Sequence, residues 1–198
     1  MSLYRVVRAV LGPPIRAVWK LEVDGAARVP PGQVIVVANH DSLSDVVFLG
    51  AALERPLRFL AKRELWRNGV VGWALDRLGG IPVDRRRGDV DAVAAAAHAL
   101  EQAAAVAIFP QGTVLGAADR PWQRGAARLA LTTGAPLLPV AIIGADAVLR
   151  PGTRLPRRAR VKVVIGSPIV VHRSSPTIPA TRELTERLRE AVAALHAV

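Results

Sequence analysis

The sequence predicts one α/β domain: a mixed, largely parallel sheet flanked by helices and preceded by an amphipathic helical segment. Short apolar runs alternate along the chain with segments of helical periodicity, which is the order expected for a sheet covered by helices on both faces. A length of 198 residues suits one well-filled core. Hydrophobic residues make up 51% of the chain, and no low-complexity linker divides it, so the composition is that of a globular domain.

The N-terminal segment, residues 1–20, is basic and amphipathic, and it precedes a predicted domain over residues 21–198. Apolar residues recur at three- and four-residue spacing among the cations Arg5, Arg8, Arg16 and Lys20, with no acid. We expect a break near the two adjacent prolines at 13 and 14. Such a segment either lies in a membrane interface or packs as an ordinary surface helix on the domain's own core. Both alternatives stay open.

The remaining elements alternate in order. Short apolar runs bounded by turn residues predict strands over residues 34–38, 57–61, 80–83, 105–109, 137–143 and 160–165. Apolar residues at helical spacing predict helices over residues 42–52, 70–78, 89–103, 124–133 and 181–197. Gly134 is expected to end the fourth of these helices. A long uncharged stretch, residues 129–145, is interrupted by glycine and prolines, so we expect no membrane-spanning helix.

Charge and composition narrow the classes of partner. Lys and Arg number 27 against 16 acidic residues, which indicates an anionic partner: nucleic acid, a phospholipid surface or phosphorylated small molecules. Aromatic residues are only 4% of the chain and no nucleic-acid-binding motif is present, so we expect no nucleic acid and keep such a binding module only as a distant alternative. The absence of cysteine excludes disulfides and thiolate chemistry. The N-terminus shows no secretory signal, and we expect a cytoplasmic protein.

Three predicted strands are followed by polar loops, over residues 39–45, 84–89 and 110–116, and the last two of these loops contain glycine. Ligands of open α/β sheets collect at the carboxyl ends of the strands. These loops are therefore the predicted site.

The first loop places His40 directly after a strand and Asp45 five residues later, just inside a helix. If the chain bends into the helix, the carboxylate reaches one imidazole nitrogen and leaves the other to remove a proton from a hydroxyl. The alternative is structural: Asp41 or Ser42 caps the helix, Asp45 complements the helix dipole, and His40 fills the corner. Because no serine lies in a nucleophile-elbow setting, the substrate's own hydroxyl is the expected nucleophile.

Four ordered blocks resemble the glycerolipid acyltransferases, and most closely the bacterial 1-acylglycerol-3-phosphate type. The blocks are the histidine and aspartate of residues 40–45, GIPVDR at 80–85, FPQGT at 109–113 and LPVAIIG at 138–144. The resemblance runs from about residue 21 to residue 168. It implies transfer of a fatty acyl group from acyl-CoA or acyl carrier protein to a hydroxyl of a lysophospholipid, with no metal and no cofactor besides that co-substrate.

The same resemblance implies roles for individual residues. His40 and Asp45 correspond to the catalytic general base and its orienting carboxylate. Arg85 corresponds to an arginine that helps hold the acceptor's phosphate, and Lys62 and Arg124 to basic residues lining the same pocket. Arg85 and Lys62 also have plain alternatives, as part of a solvated arginine run and as a snorkelling side chain.

The third block contributes Gln111, Gly112 and Thr113 to the predicted substrate site, because backbone amides after a strand can approach an acyl carbonyl or a phosphate. This block departs from the family form, in which a glutamate precedes the glycine and an arginine follows the threonine; here Gln111 and Val114 stand there. The departure leaves open a non-phosphorylated alcohol or amine as acceptor, or a non-catalytic lipid-binding protein on this scaffold. We expect an anionic membrane surface as partner, with the protein peripheral on the inner face of the cell membrane.

Overall fold

The structure is a computed structural model that describes residues 3–83, 90–102, 104–114, 120–150, 153 and 155–197, without the side chains of residues 3–5, 90 and 91. A seven-stranded sheet organises these residues. Its strands are β1 Glu22–Asp24, β2 Val34–Ala38, β3 Leu57–Lys62, β4 Gly80–Val83, β5 Ala105–Ile108, β6 Leu137–Ile143 and β7 Lys162–Ile165.

The strands lie in the order β1-β7-β6-β2-β5-β3-β4. All neighbouring pairs are parallel except β6 with β7, so β1 and β7 are antiparallel to the other five strands. The predicted fold class, a mixed and largely parallel sheet with flanking helices, is confirmed. The carboxyl ends of β2, β3, β4 and β5 therefore meet at one edge, where the predicted site loops begin.

β2 is the central strand of the core. All of its residues are fully buried, and alternate side chains enter opposite layers: Val34, Val36 and Ala38 face one hydrophobic cluster, Ile35 and Val37 the other. A parallel strand covered on both faces reads as a continuous apolar run, which is why the sequence identifies it so clearly.

The helices form a layer on each face of the sheet. Their bounds are α1 Leu3–Val18, α2 Asp45–Ala52, α3 Gly69–Leu78, α4 Val90–Glu101, α5 Gly125–Thr133, α6 Ala145–Val148 and α7 Ile178–Leu195, with 3₁₀ helices at Ala26–Arg28 and Arg63–Arg67. α2 packs into the first cluster, and α1 contacts both α2 and α3. α4, α5 and α7 cover the second cluster.

α1 corrects one expectation, because it continues through Pro13 and Pro14 without the predicted break. Both prolines are exposed, as are Ala9 and Val10, whose carbonyls lose their helical donors. Water can hydrate those carbonyls, and proline's φ is compatible with a helix, so the loss of two backbone hydrogen bonds does not end this helix.

Other differences are local. β1, α6 and both 3₁₀ helices are additional to the predicted elements. α2 begins at Asp45 and not at residue 42, because residues 42–44 form a hydrogen-bonded turn. α7 begins at Ile178, three residues before the predicted 181, where the Thr177 side chain accepts from the Ala180 N–H. Gly134 ends α5 at φ 74°, as predicted.

Candidate active site

Asn39 holds the site loop against the sheet. The pairing between β2 and β6 ends at Ala38. Beyond it, the Asn39 side chain makes the bonds to β6 in place of the main chain. Its Oδ1 accepts from the Ile142 N–H at 2.7 Å, and its Nδ2 donates to the Ile142 C=O at 2.8 Å. The same Nδ2 donates to Asp41 Oδ2 at 2.6 Å. This buried amide bridges residues 103 apart in sequence, so the point at which the chain leaves the sheet is fixed by side-chain bonds.

His40 and Asp45 meet as the spacing predicts. His40 Nδ1 lies 3.0 Å from Asp45 Oδ2, and the same oxygen accepts the Ser42 N–H at 2.8 Å. The Asp45 side chain is 1% exposed and that of His40 is 14% exposed. An ionised carboxylate accepts only, so the proton of this contact belongs to Nδ1 and Nε2 is left as the basic nitrogen.

An aromatic ring fixes the plane of the imidazole. Phe109, the first residue after β5, stacks on His40 with ring centroids 4.3 Å apart and planes inclined by 25°. The ring is thus held at one edge by the carboxylate and on one face by Phe109. Both contacts restrict the rotation that would carry Nε2 away from a substrate.

Burial raises the pKa of Asp45 above its ordinary value, against the opposing effects of the His40 and Ser42 hydrogen bonds and of the His40 charge. The carboxylate gains two donors, but its Oδ1 has no hydrogen-bond partner among the described residues. The ionised form that orients the histidine is therefore costly to bury. Carboxyl groups placed this way are frequent at functional sites.

The purely structural alternative is met in part. The residue at the N-cap of α2 is Ser44, and its side chain makes no capping hydrogen bond. Ser42 Oγ accepts the Ser44 N–H at 3.2 Å and donates to the Leu149 C=O at 2.8 Å, and Asp41 accepts from Asn39. Asp45 does lie in the first turn of α2, where it complements the helix dipole as well as facing His40.

The third block forms a tight turn on the neighbouring strand. The Gly112 N–H donates to the Phe109 C=O at 3.0 Å, and Gly112 has a φ of 70°, a conformation that glycine adopts without steric cost. Because the Gly112 N–H is hydrogen-bonded within the turn, the contribution of Gly112 to the site is the turn conformation itself. Gln111 is buried, and its Oε1 has no hydrogen-bond partner among the described residues. Thr113 follows, half-buried.

Two of the three basic residues predicted for the site lie near the same edge of the sheet. Lys62 is the exposed last residue of β3, which is separated from β2 only by β5. Arg124 is exposed at the N-cap of α5, and the neighbouring Gln123 N–H donates to the Pro110 C=O at 2.9 Å, which ties this corner to the third block. Arg85 lies outside the described residues.

Within the described part of the chain, no group of three or more histidine and carboxylate side chains is arranged to hold a metal ion. In the same residues no helix has the length and apolarity needed to cross a bilayer.

Asn39 and Phe109 have contacts that the sequence did not predict, and Ser42 was named only as a candidate helix cap. Asn39 belongs to the predicted loop over residues 39–45 and Phe109 to the block over 109–113, but their contacts join different strands and leave no trace in local spacing. Only the apolar-to-polar transition after residue 38 indicates that the strand ends at Asn39.

The fold is that of an acyltransferase domain. A family model described as Acyltransferase covers residues 20–143, so the chain belongs to this family and the resemblance is confirmed. The chain is 31% identical over 136 residues to the 1-acyl-sn-glycerol-3-phosphate acyltransferase of Bacillus subtilis, with 68% of this chain and 66% of that protein covered. It is 28% identical over 161 residues to the chloroplastic enzyme BAT2 of Brassica napus, with 76% and 45% covered.

The alignments thus span between about half and two thirds of these relatives. Among solved structures, the chain resembles the 1-acyl-sn-glycerophosphate (LPA) acyltransferase PlsC of Thermotoga maritima. The TM-score is 0.75 at 24% identity, covering 100% of this chain and 83% of that one. This similarity supports the fold.

Asp45→Asn should separate stability from activity. The side chain keeps its shape but no longer carries a buried charge, so we expect transfer to fall by roughly 10²- to 10⁴-fold while the protein stays at least as stable near neutral pH. Because the pKa of Asp45 is raised in the fold, the wild type loses stability as pH rises through that pKa. The melting temperatures of variant and wild type should therefore diverge in the variant's favour as the pH rises above about 4. A variant that melts well below the wild type at the higher pH would contradict this account.

Proposed function

We propose that this protein is an O-acyltransferase that moves a fatty acyl group from acyl-CoA or acyl carrier protein to the hydroxyl of a lysophospholipid such as 1-acylglycerol-3-phosphate. The observation that carries the proposal is the 3.0 Å contact between His40 Nδ1 and Asp45 Oδ2, which leaves Nε2 for the substrate. The names of the relatives support the reaction class and the acceptor.

The chemistry is a direct attack in this proposal. The acceptor oxygen bonds to the thioester carbon as its proton passes to His40 Nε2, and Asp45 stabilises the resulting imidazolium. The tetrahedral intermediate then collapses, the C–S bond breaks, and the proton returns from Nε2 to the departing thiolate. The chain contains no cysteine, and the mechanism needs no covalent acyl-enzyme.

Substrate binding is assigned to the predicted basic residues and to the turn that follows β5. Lys62, Arg85 and Arg124 would hold phosphate groups of the acceptor or of an anionic carrier, and residues Gln111–Thr113 would border the reacting carbonyl. No metal or further cofactor enters the proposal.

His40→Ala tests the mechanism. The histidine lies in a loop at the strand edge, so its loss should remove the base while the core stays intact, and we expect transfer to fall by about 10²- to 10⁴-fold. The assay is thioester release with purified protein and a panel of acceptors. His98→Ala is the matched control, because His98 is an exposed histidine on α4 whose contacts, Glu101 and Gln102, lie on the same surface. A folded His40→Ala variant with wild-type rates would eliminate the mechanism, and a wild type that releases no thiol with any donor would favour a lipid-binding protein.

The third block bears on the choice of acceptor, because it lacks one negative and one positive side chain of the family form. Gln111 keeps the hydrogen-bonding shape of a glutamate but not its charge, and Val114 makes no contact with a phosphate. A non-phosphorylated alcohol or amine is the second candidate acceptor, and the buried, unpartnered Gln111 Oε1 favours it as an acceptor of a neutral O–H or N–H.

Gln111→Glu combined with Val114→Arg should restore phosphate recognition. A charge-assisted hydrogen bond contributes about 1.5–3 kcal/mol, so use of lysophosphatidic acid should improve about tenfold or more. Gln111→Glu alone would bury an uncompensated charge and should lower the melting temperature, whereas the double variant supplies a partner. A monoacylglycerol is the neutral control acceptor. Equal gains on both acceptors, or a strong wild-type preference for lysophosphatidic acid, would show that the two departures do not decide the acceptor.

We also propose that the protein is peripheral on an anionic membrane, on the inner face of the cell membrane, through α1. The two alternatives for this segment are compatible. Trp19, just past α1, packs edge-on against Phe48 with ring centroids 5.8 Å apart, and Arg16 donates to the Ala51 C=O at 3.1 Å. The outer side still presents Val10, 63% exposed, and Leu11, 49% exposed.

Val10→Glu tests this role without removing the packed residues, which a deletion of residues 1–20 would do. A charge in place of an apolar contact should weaken binding to anionic vesicles about tenfold in co-sedimentation. Ile178→Glu on α7 makes the same class of change at a site 72% exposed and should leave binding unchanged. Unaltered vesicle binding by Val10→Glu would remove α1 from the membrane contact.

A further inference from the structure

The exposed large hydrophobic side chains of the described residues are concentrated on one side of the protein. All but Leu155, Val170 and Ile178 lie on four neighbouring elements. We call this set the apolar surface: Val6, Val10, Leu11 and Val18 on α1, Leu43 and Val47 at the start of α2, Leu65 on the 3₁₀ helix Arg63–Arg67, and Val70, Val71 and Trp73 on α3.

These elements are in contact with one another. α1 packs against α2 and α3, and α3 packs against the 3₁₀ helix. Val70 is 77% exposed and Trp73 is 53% exposed, values that an ordinary amphipathic helix avoids on its solvent side. Apolar patches larger than scattered single residues mark an interaction site.

The opposite layer shows that this exposure is not general. In the described residues of α4, α5 and α7, the one large exposed hydrophobic is Ile178, at the first residue of α7. The outer side of α7 instead carries charges of both signs, such as the pair Arg189 and Glu186 at 2.9 Å.

The charges around the apolar surface indicate an anionic occupant. Residues 62–77 contain Lys62, Arg63, Arg67 and Arg77 against two acids, and residues 6–20 contain three cations and no acid. At the end of α1 a surface depression is lined by Ala17, Val18 and Ala159 together with Lys20, Arg158 and Arg160. Small apolar groups bordered by cations suit acyl chains beside phosphate headgroups.

Trp73 has the arrangement of an interfacial anchor. The Arg77 guanidinium lies over its indole, 4.8 Å from the ring centroid, so an apolar ring and a cation are presented together. Tryptophan favours the boundary between headgroups and acyl chains because one part of the ring is apolar and the N–H is polar; here the neighbouring cation adds an attraction to phosphate.

We propose that α1, the start of α2, the 3₁₀ helix Arg63–Arg67 and α3 form a single surface that rests in the headgroup and acyl boundary of an anionic phospholipid leaflet. The inference rests on the proposed membrane role of α1 and extends it to α3, which belongs to the domain itself. Leu43, 64% exposed, is three residues from His40, so the surface reaches the catalytic loop. A lipid acceptor can then pass from the leaflet to the histidine without crossing water.

The test is Val70→Glu, with α1 unchanged. Glutamate in the first turn of α3 is favourable to the helix dipole, so the variant should fold, which its melting temperature checks. We expect binding to vesicles of phosphatidylcholine with phosphatidylglycerol to weaken about tenfold, as for loss of one buried apolar contact and insertion of a charge. Val170→Glu, at a loop site 73% exposed, is the matched control and should bind as the wild type does.

Arg67→Gln separates the two components of the contact. It should weaken binding to the anionic vesicles at low salt and leave binding to pure phosphatidylcholine unchanged, because only the electrostatic part depends on lipid charge. Wild-type vesicle binding by Val70→Glu, or equal losses in Val70→Glu and Val170→Glu, would overturn the proposal. So would light scattering that shows a wild-type dimer dissociated by Val70→Glu with vesicle binding intact, since the surface would then join two copies. Vesicle binding is measured without acyl donor or acceptor, so its outcome is independent of whether acyl transfer is found.

Discussion

The position of the histidine depends on the amide of Asn39. A parallel ladder would otherwise carry β2 onward beside β6, but the Asn39 side chain bonds both the N–H and the C=O of Ile142 and releases its own main chain to turn. Removing it would leave two buried main-chain groups without partners, each at a cost of about 1–3 kcal/mol. Because β2 lies between β5 and β6 and is buried on both faces, the turn begins from a strand whose residues are all fully buried. The proposed catalysis would need such a fixed starting point, since a misplacement of about 1 Å can cost 10²-fold in rate.

A buried carboxylate is the cost of that geometry. Asp45 orients the imidazole only when ionised, yet it is fully buried and one of its oxygens has no partner among the described residues. A residue selected for stability at this position would carry no charge. The hydrogen bonds from Ser42 and His40 offset part of the free energy needed to bury this charge. The packing of the apolar strands β2 and β6 stabilises the fold around it. A local arrangement that opposes stability is typical of functional sites, and it argues for the catalytic interpretation of this pair over the helix-capping one.

Features of the fold and site that depend on contacts close in sequence could be predicted, and features that depend on contacts distant in sequence could not. β6 was predicted over 137–143, the bounds that the structure has, because a run buried on both faces and bounded by Pro136 and Gly144 is a local signal. The His40–Asp45 contact was also predictable, since it spans five residues. β1 has only the sequence Glu-Val-Asp and exists through its pairing with β7, about 140 residues away along the chain, which no local pattern contains. The continuation of α1 past two prolines likewise depends on the exposure of the unpaired carbonyls and on the packing of Ile15 and Trp19.

The asymmetry between the two helix layers follows from the same sheet. Strands buried on both faces need helices on both, and each layer is free to differ only on its outer side. The outer side of the α4, α5 and α7 layer carries charges of both signs, which water solvates well. The outer side of the α1, α2 and α3 layer instead exposes apolar side chains among cations. His40 lies at the strand edge, three residues before Leu43, which is exposed beside the start of α2. In the proposed reaction, transfer from a polar carrier to a lipid would join reactants from different phases, and the edge of the sheet beside the apolar layer would let one histidine meet both.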